Sequence, residues 1–191
     1  MPIMSDDLAW RLGARLPGHD YRIFQTGFVD GTHPRDGSTK RFSLIECVDW
    51  VNVIALTADD RVVLVRQFRA GSAAVHLEIP GGMVDAGEDA ATAAARELAE
   101  ETGFTAKTWR RLGTCRPNPA IQNNTLHSYL ALDAVQTAPP TPEGSEVIEV
   151  TTLPLADVRA ALRRGDIDHA LVLAAFAHLA LAEHALVRPA P

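Results

Sequence analysis

Two apolar runs stand almost back to back in the chain, WVNVIALT at 50–57 and VVLVRQF at 62–68, with only ADDR between them. A strand with one wet face alternates apolar and polar residues. Near-continuous Val, Ile and Leu instead implies strands buried on both faces. The main sheet therefore begins here, and the short connection makes the two runs a hairpin. Upstream, Tyr21–Phe28 and Arg41–Val48 read as two strands of an N-terminal hairpin, joined by the turn-rich GTHPRDGSTK. Downstream, Ala90–Thr102 is rich in Ala, Leu, Glu and Arg, starts after Glu88 and Asp89 and stops at Gly103, which predicts a helix. Strands are expected at 108–114, 126–132 and 146–152, the last after the Pro-rich linker TAPPTPEGS, followed by helices at 155–164 and 168–185.

The 191 residues, 47% hydrophobic and 22% charged, suit one globular core with at most an appendage. A net charge of −6 argues against a broad basic surface for nucleic acid, so an anionic substrate needs a local answer from metal ions or a few arginines. Cys47 and Cys115 form no Cys-x-x-Cys or Cys/His pattern, which points away from a disulfide framework or zinc site and toward a reducing cytoplasm. The N-terminus lacks the pattern of an export signal. The longest apolar stretch, Ala170 to Ala182, is interrupted by His178 and is too short to span a bilayer, so no membrane association is expected.

The chemistry concentrates between Gly82 and Phe104. On the helix expected there, Glu97 and Glu101 lie about 40° apart around the axis and border the apolar stripe of Ala94 and Leu98, so both point toward the protein. Like charges at this spacing cost a helix roughly 0.2–0.5 kcal/mol, and half-buried carboxylates cost more without a compensating positive charge. A hard divalent cation, Mg²⁺ or Mn²⁺, compensates such oxygen donors, and the absence of neighbouring His or Cys disfavours zinc. The plainer alternative is a solvated acidic helix face.

The same segment matches Gly-x5-Glu-x7-Arg-Glu-U-x-Glu-Glu-x-Gly-U, with U apolar, at every specified position. A chance match to its fixed residues is on the order of one in a million. The chain thus resembles the Nudix hydrolases. The resemblance implies an α+β fold, the Nudix α/β/α sandwich with a mixed β-sheet, with residues 49–191 as the hydrolase domain and 1–48 as an N-terminal hairpin and dimerisation region. It implies metal ions, Mg²⁺ or Mn²⁺, held by Glu97 and Glu101, with Glu100 as a further ligand or water-orienting group and the Gly81 carbonyl completing the coordination. Arg96 then orients one carboxylate, while a capping role explains Glu88 almost as well.

Features outside the motif resemble the ADP-ribose pyrophosphatase branch of that family, which cleaves nucleoside diphosphate sugars. Pro119 lies sixteen residues after Gly103, where that branch carries a marker, and Gln67-Phe68-Arg69 and Glu78-Ile79-Pro80-Gly81-Gly82 are similar to its substrate-binding segments. Arg69 and Glu78, with Arg66 as a weaker candidate, then contact substrate, and Trp50 can stack on a base or simply pack. His127 reads as structural. Glu146, then Glu143, are the expected general bases from a late loop. Ala120-Ile121-Gln122-Asn123-Asn124 departs from the branch's pattern and leaves other nucleotide sugars open. A homodimer is implied by resemblance alone. Two rivals remain: a catalytically silent Nudix-like sensor of ADP-ribose or nucleotide sugar, and a hydrolase of coenzyme A or dinucleoside polyphosphates.

Overall fold

The computed structural model describes residues 8–142, 144 and 147–187, with side chains described as far as Glu183. The chain divides into two compact units, one running to Val48 and taking in Arg116–Asn124, the other comprising Asp49–Cys115 and the chain from Thr125 onward.

In the first unit, β1 (Arg11–Asp20), β2 (Gln25–Thr32) and β3 (Thr39–Glu46) form an antiparallel sheet in that order. The sequence predicts only two strands here, and β1 is the correction. Every residue of RLGARLPGHD is exposed, so neither period-2 alternation nor an apolar run marks it. Its Gly and Pro are tolerated because it is an edge strand, paired on one side only. At the opposite edge the segment from Arg116 to Asn124 joins β3: Ile45 N–H donates to the Ile121 carbonyl at 2.7 Å, and Cys47 N–H donates to Asn123 Oδ1 at 2.9 Å.

The second unit contains β4 (Trp50–Ala55), β5 (Arg61–Arg69), β6 (Ala74–Glu78), β7 (Gly81–Met83), α1 (Ala90–Thr102), β8 (Phe104–Thr105), β9 (Thr108–Cys115), β10 (Leu126–Leu132), β11 (Val135–Gln136), β12 (Ile148–Pro154), α2 (Leu155–Arg164) and α3 (Ala170–Val187). The expected hairpin of 50–57 with 62–68 does not form. β4 lies in the sheet β7-β4-β10-β9, parallel to β10, whereas β5 lies in the antiparallel sheet β12-β5-β6. A single bridge, Leu56 to Val62, joins them at the turn. Each strand is paired on both sides elsewhere, β4 with β10 and β7 and β5 with β12 and β6, so the apolar runs correctly indicate burial but not pairing.

Alternation along these strands feeds two cores. Val51, Val53, Ala55, Val63, Tyr129 and Ala131 pack with Ala93, Ala94 and Leu98 of α1. Ile54, Val62, Leu64 and Leu130 pack with Val158 and Ala161 of α2 and Val172, Ala175, Phe176 and Leu179 of α3. Strands thus lie between one helix and two, an α/β/α sandwich. Burying a Val or Leu side chain contributes roughly 1.5–3 kcal/mol before conformational entropy opposes it, so these two clusters dominate the stability of the unit.

The helix expected at 90–102 is α1. Its cap is Asp89 rather than Glu88: Asp89 Oδ1 accepts from the amides of Ala91 at 3.0 Å and Thr92 at 3.1 Å. At the other end Gly103 adopts φ 73°, the left-handed conformation that favours glycine, and its N–H reaches the Ala99 carbonyl.

Candidate active site

The acid face of α1 meets the edge strand β7, and two adjacent glycines allow the approach. Gly81 and Gly82 pair with Asn52 and Val51 of β4, so Gly82 shares the sheet face of Val51, the face covered by α1. The Glu97 carboxyl carbon lies 2.5 Å, and its Oε2 2.8 Å, from where a Cβ on Gly82 would stand. Any side chain there would displace the carboxylate. Gly81 is hemmed differently, by the Val51 carbonyl and by Asn52 Cα at 2.8 Å from its would-be Cβ. Its amide N–H donates to Glu101 Oε2 at 3.0 Å. Glu101 is 5% exposed and Glu97 is largely covered, as the helical spacing predicts.

Arg96 gathers the remaining acids. Its Nη1 donates to Glu97 Oε1 at 3.0 Å and to Glu100 Oε2 at 3.1 Å. Its Nη2 donates to Glu88 Oε2 at 3.1 Å and to the Met83 carbonyl at 3.0 Å, and its Nε to Glu88 Oε1 at 3.2 Å. The sequence gives Arg96 one carboxylate to orient; the structure gives it three. Surrounded by acids, the guanidinium is held even more firmly in its charged form, Glu88 contributing most. The bond from Arg96 in turn lowers the pKa of Glu88 below the usual carboxylate range, assisted by the Asp85 amide. Glu88 therefore braces Arg96 and is not a helix cap.

The four glutamates at 88, 97, 100 and 101 supply oxygen donors only, three of them sharing one cation and the fourth nearly buried on an amide. Such a donor set fits a hard divalent cation, which prefers carboxylate and carbonyl oxygen. With Arg96 drawing three carboxylates to itself, no three acidic, imidazole or thiol side chains among the described residues are grouped as a ready-made ion cage.

Other expected site residues are placed as follows. Arg69 and Glu78 hold each other, Nε to Oε1 and Nη2 to Oε2 both at 2.9 Å, with Glu78 3% exposed at the end of β6, paired in register with Val65. Arg66 pairs with Glu149 across β5 and β12 at 2.7 Å on the surface. Trp50 is half-buried and lies in register between Met83 and Leu126. His127, expected to be structural, is held by Asp49, its Nε2 3.0 Å from Oδ2, while Asp49 Oδ1 accepts from the Thr125 amide at 2.7 Å. Pro119 is exposed and belongs to the N-terminal unit. Glu143 and Glu146 lie outside the described residues. The sequence reading missed the Met83 carbonyl as an anchor for Arg96, which no side-chain motif encodes, and Asp89 as the cap, which its position just before the helix does signal.

A family profile described as the NUDIX domain matches residues 49–176. An ADP-ribose pyrophosphatase of Bacillus subtilis is 27% identical over 157 residues, 82% of this chain and 85% of the relative. A CMP-5'-(N-acetyl-N-hydroxy-3-aminopropyl)phosphonate hydrolase of Streptomyces rubellomurinus is 31% identical over 147 residues, 77% of this chain and 70% of the relative. A crystal structure of an ADP compounds hydrolase superposes with a TM-score of 0.75 at 23% identity, covering 94% of this chain and 96% of the other, a likeness of fold.

Proposed function

The chain belongs to the Nudix family, and on that premise we propose that it hydrolyses the pyrophosphate of ADP-ribose or a related nucleoside diphosphate sugar, giving a nucleoside monophosphate and a sugar phosphate. The observation that carries this reading is the acid face of α1 seated on the Gly81-Gly82 edge, with every glutamate of the family motif kept. A silent sensor has no use for four retained glutamates, three gathered on one arginine and the fourth on the Gly81 amide.

Glu97, Glu101 and Glu100, with the Gly81 carbonyl, would hold divalent metal, Mg²⁺ or Mn²⁺. When bound, the metal supplies positive charge to the phosphate oxygens and the departing phosphate. Arg96 keeps Glu97 and Glu100 aimed by charge-assisted bonds, and Glu88 keeps Arg96 in place. Water attacks one phosphorus, its proton taken by Glu146 or, failing that, Glu143. Arg69, steadied by Glu78, faces a phosphate of the substrate; Trp50 stacks on the base, and Arg66 adds distant positive charge.

Assembly is part of the same reading: a homodimer formed through the N-terminal sheet. That unit exposes Leu12, Leu16, Tyr21, Ile23 and Phe28, an apolar set which a second copy would cover. Sedimentation giving a monomer mass at micromolar concentration would remove the dimer.

The function is tested by phosphate-detected turnover of ADP-ribose, GDP-mannose, UDP-glucose, coenzyme A and diadenosine polyphosphate with Mg²⁺ or Mn²⁺. Cleavage of ADP-ribose or a nucleotide sugar that disappears in Glu101→Gln supports the proposal. Binding without turnover in the wild type turns the protein into a sensor, and preference for coenzyme A or the dinucleotide replaces the substrate class.

A further inference from the structure

A second group of chemistry-bearing side chains lies away from the acid face, at the turn joining β5 to β6. Ser72 occupies that exposed turn, His76 lies on β6, and Asp168 belongs to the loop before α3, 92 residues further along the chain than His76. The imidazole stands between the other two. Its Nε2 is 2.5 Å from Ser72 Oγ and its Nδ1 is 3.0 Å from Asp168 Oδ1. In the neutral ring these contacts select a tautomer. A carboxylate can only accept, so Asp168 keeps the ring proton on Nδ1; Nε2 is left as an acceptor and draws the Ser72 hydroxyl proton. The competing acceptor for that hydroxyl, the Arg69 carbonyl, is more distant at 3.2 Å. The His76 side chain is only 16% exposed although Asp168 is 66% exposed, so the ring is held while its two neighbours face solvent.

We propose that Ser72, His76 and Asp168 form a second, serine-nucleophile site that transfers the acyl group of an uncharged carboxylic ester to water. Hydroxyl, Nε2, Nδ1 and carboxylate stand in the order that activates a serine, with the base itself oriented by a third group. The turn Ala70-Gly71-Ser72-Ala73 carries only small residues, and a Cβ added at Gly71 would meet nothing within 4 Å, so a small acyl group has room beside the hydroxyl. A phosphoryl substrate at Ser72 would call for a cation of its own, and the neighbouring guanidinium, Arg69, already serves Glu78 and, on the reading above, the pyrophosphate substrate. An uncharged acyl group fits the turn better.

In the first step Ser72 Oγ bonds to the ester carbonyl carbon while His76 Nε2 takes the hydroxyl proton. The bond from that carbon to the alcohol oxygen then breaks, and the alcohol leaves with the proton from Nε2. Water, deprotonated by the same nitrogen, attacks the acyl-serine and releases the carboxylic acid, restoring Ser72. Asp168 is a positioning residue, holding the ring and steadying the imidazolium.

The full chain is incubated with a fluorophosphonate, and separately with p-nitrophenyl acetate, and the adduct is located by intact mass and peptide mapping. The proposal expects one adduct at Ser72, forming about a hundredfold faster than in His76→Gln and slowed in Asp168→Asn. It also expects p-nitrophenolate release above the buffer rate that is lost in Ser72→Ala, while Ser72→Ala keeps pyrophosphate cleavage and the wild-type circular dichroism. No adduct at Ser72, equal labelling in His76→Gln, or labelling without ester turnover overturns it.

Discussion

Gly82→Ala separates chemistry from stability in this fold. Glycine there does not serve a left-handed turn, so alanine meets no backbone penalty; what it meets is Glu97. The new Cβ would stand 2.5 Å from the carboxyl carbon and 2.8 Å from Oε2, whereas ordinary contact begins at 3.4 Å. Oε1 stands closer still, so the carboxylate must retreat by roughly 1 Å, at the end of a flexible side chain for which an off-rotamer torsion costs about 0.5–1.5 kcal/mol. Displacing a catalytic group by roughly 1 Å costs about a hundredfold in rate, equivalent to about 2.7 kcal/mol of barrier. The expected outcome is kcat for pyrophosphate cleavage down about a hundredfold, with Tm lowered by no more than about 2–6 °C. Gly81→Ala is the contrast. Its Cβ collides with the Val51 carbonyl and approaches Asn52 Cα at 2.8 Å, and both are backbone of a core strand that cannot swing aside. Overpacking of this kind costs about 1–3 kcal/mol, which lowers Tm by roughly 2–12 °C. Phosphate-release kinetics and differential scanning calorimetry on both variants decide the matter. Wild-type kcat in Gly82→Ala, or a loss of Tm there beyond about 6 °C, refutes the argument that the glycine pair positions Glu97.

Glu88 contributes stability above its unfolded pKa because Arg96 lowers its folded value; that contribution is lost as pH falls through the folded value, so Glu88→Gln flattens the acid limb of a Tm-versus-pH curve below about pH 4.5. Asp89→Ala removes the acceptor of two helix amides and lowers Tm by about 2–4 °C, whereas Asp89→Asn holds it, as calorimetry will report. Arg69→Ala strips the nearly buried Glu78 of a two-bond partner; because the Arg69 side chain is 42% exposed, water restores part of the loss, and urea titration should show about 1–3 kcal/mol of destabilisation. Chelation by EDTA should abolish pyrophosphate turnover and added Mg²⁺ or Mn²⁺ restore it, with the fold unchanged by circular dichroism.

Much of this was legible in the residues because burial and local capping write themselves into sequence. The 90–102 helix coincides with α1, and 126–132 and 155–164 coincide with β10 and α2, each marked by periodicity or by a Gly or Pro boundary. Pairing was not legible. The runs at 50–57 and 62–68 announce two buried strands, but nothing local tells β4 to choose β10 and β7 over its neighbour in the chain. β1 was invisible for the opposite reason: with no buried side chain, it exists through backbone hydrogen bonds to β2, which leave no compositional trace. At the site, the inward face of Glu97 and Glu101 followed from 3.6-residue periodicity, while the convergence of Glu88, Glu97 and Glu100 on Arg96 required the loop before α1 to fold back, and only coordinates show that.

The separation of β4 from β5 also explains why the acid face can exist at all. Had the two runs closed as a hairpin, β4 would have spent one edge on β5. Instead that edge is given to β7, a strand of three residues whose glycines admit a carboxylate where a side chain would stand. The same face of β4 carries Val51 and Val53 into the α1 core, so Leu98, packed in that core, and Glu97, seated on Gly82, are fixed by one helix orientation. A substitution that rotates α1 therefore disturbs both. Leu98→Ala, which removes a fully buried side chain, costs about 2–5 kcal/mol of stability by cavity formation. It should also depress kcat beyond the unfolded fraction, because Glu97 and Glu101 lose their registry with Gly82 and Gly81. Activity per folded molecule, measured well below the variant's Tm, tests this: a wild-type value would mean that the glycines hold the carboxylates without help from the core.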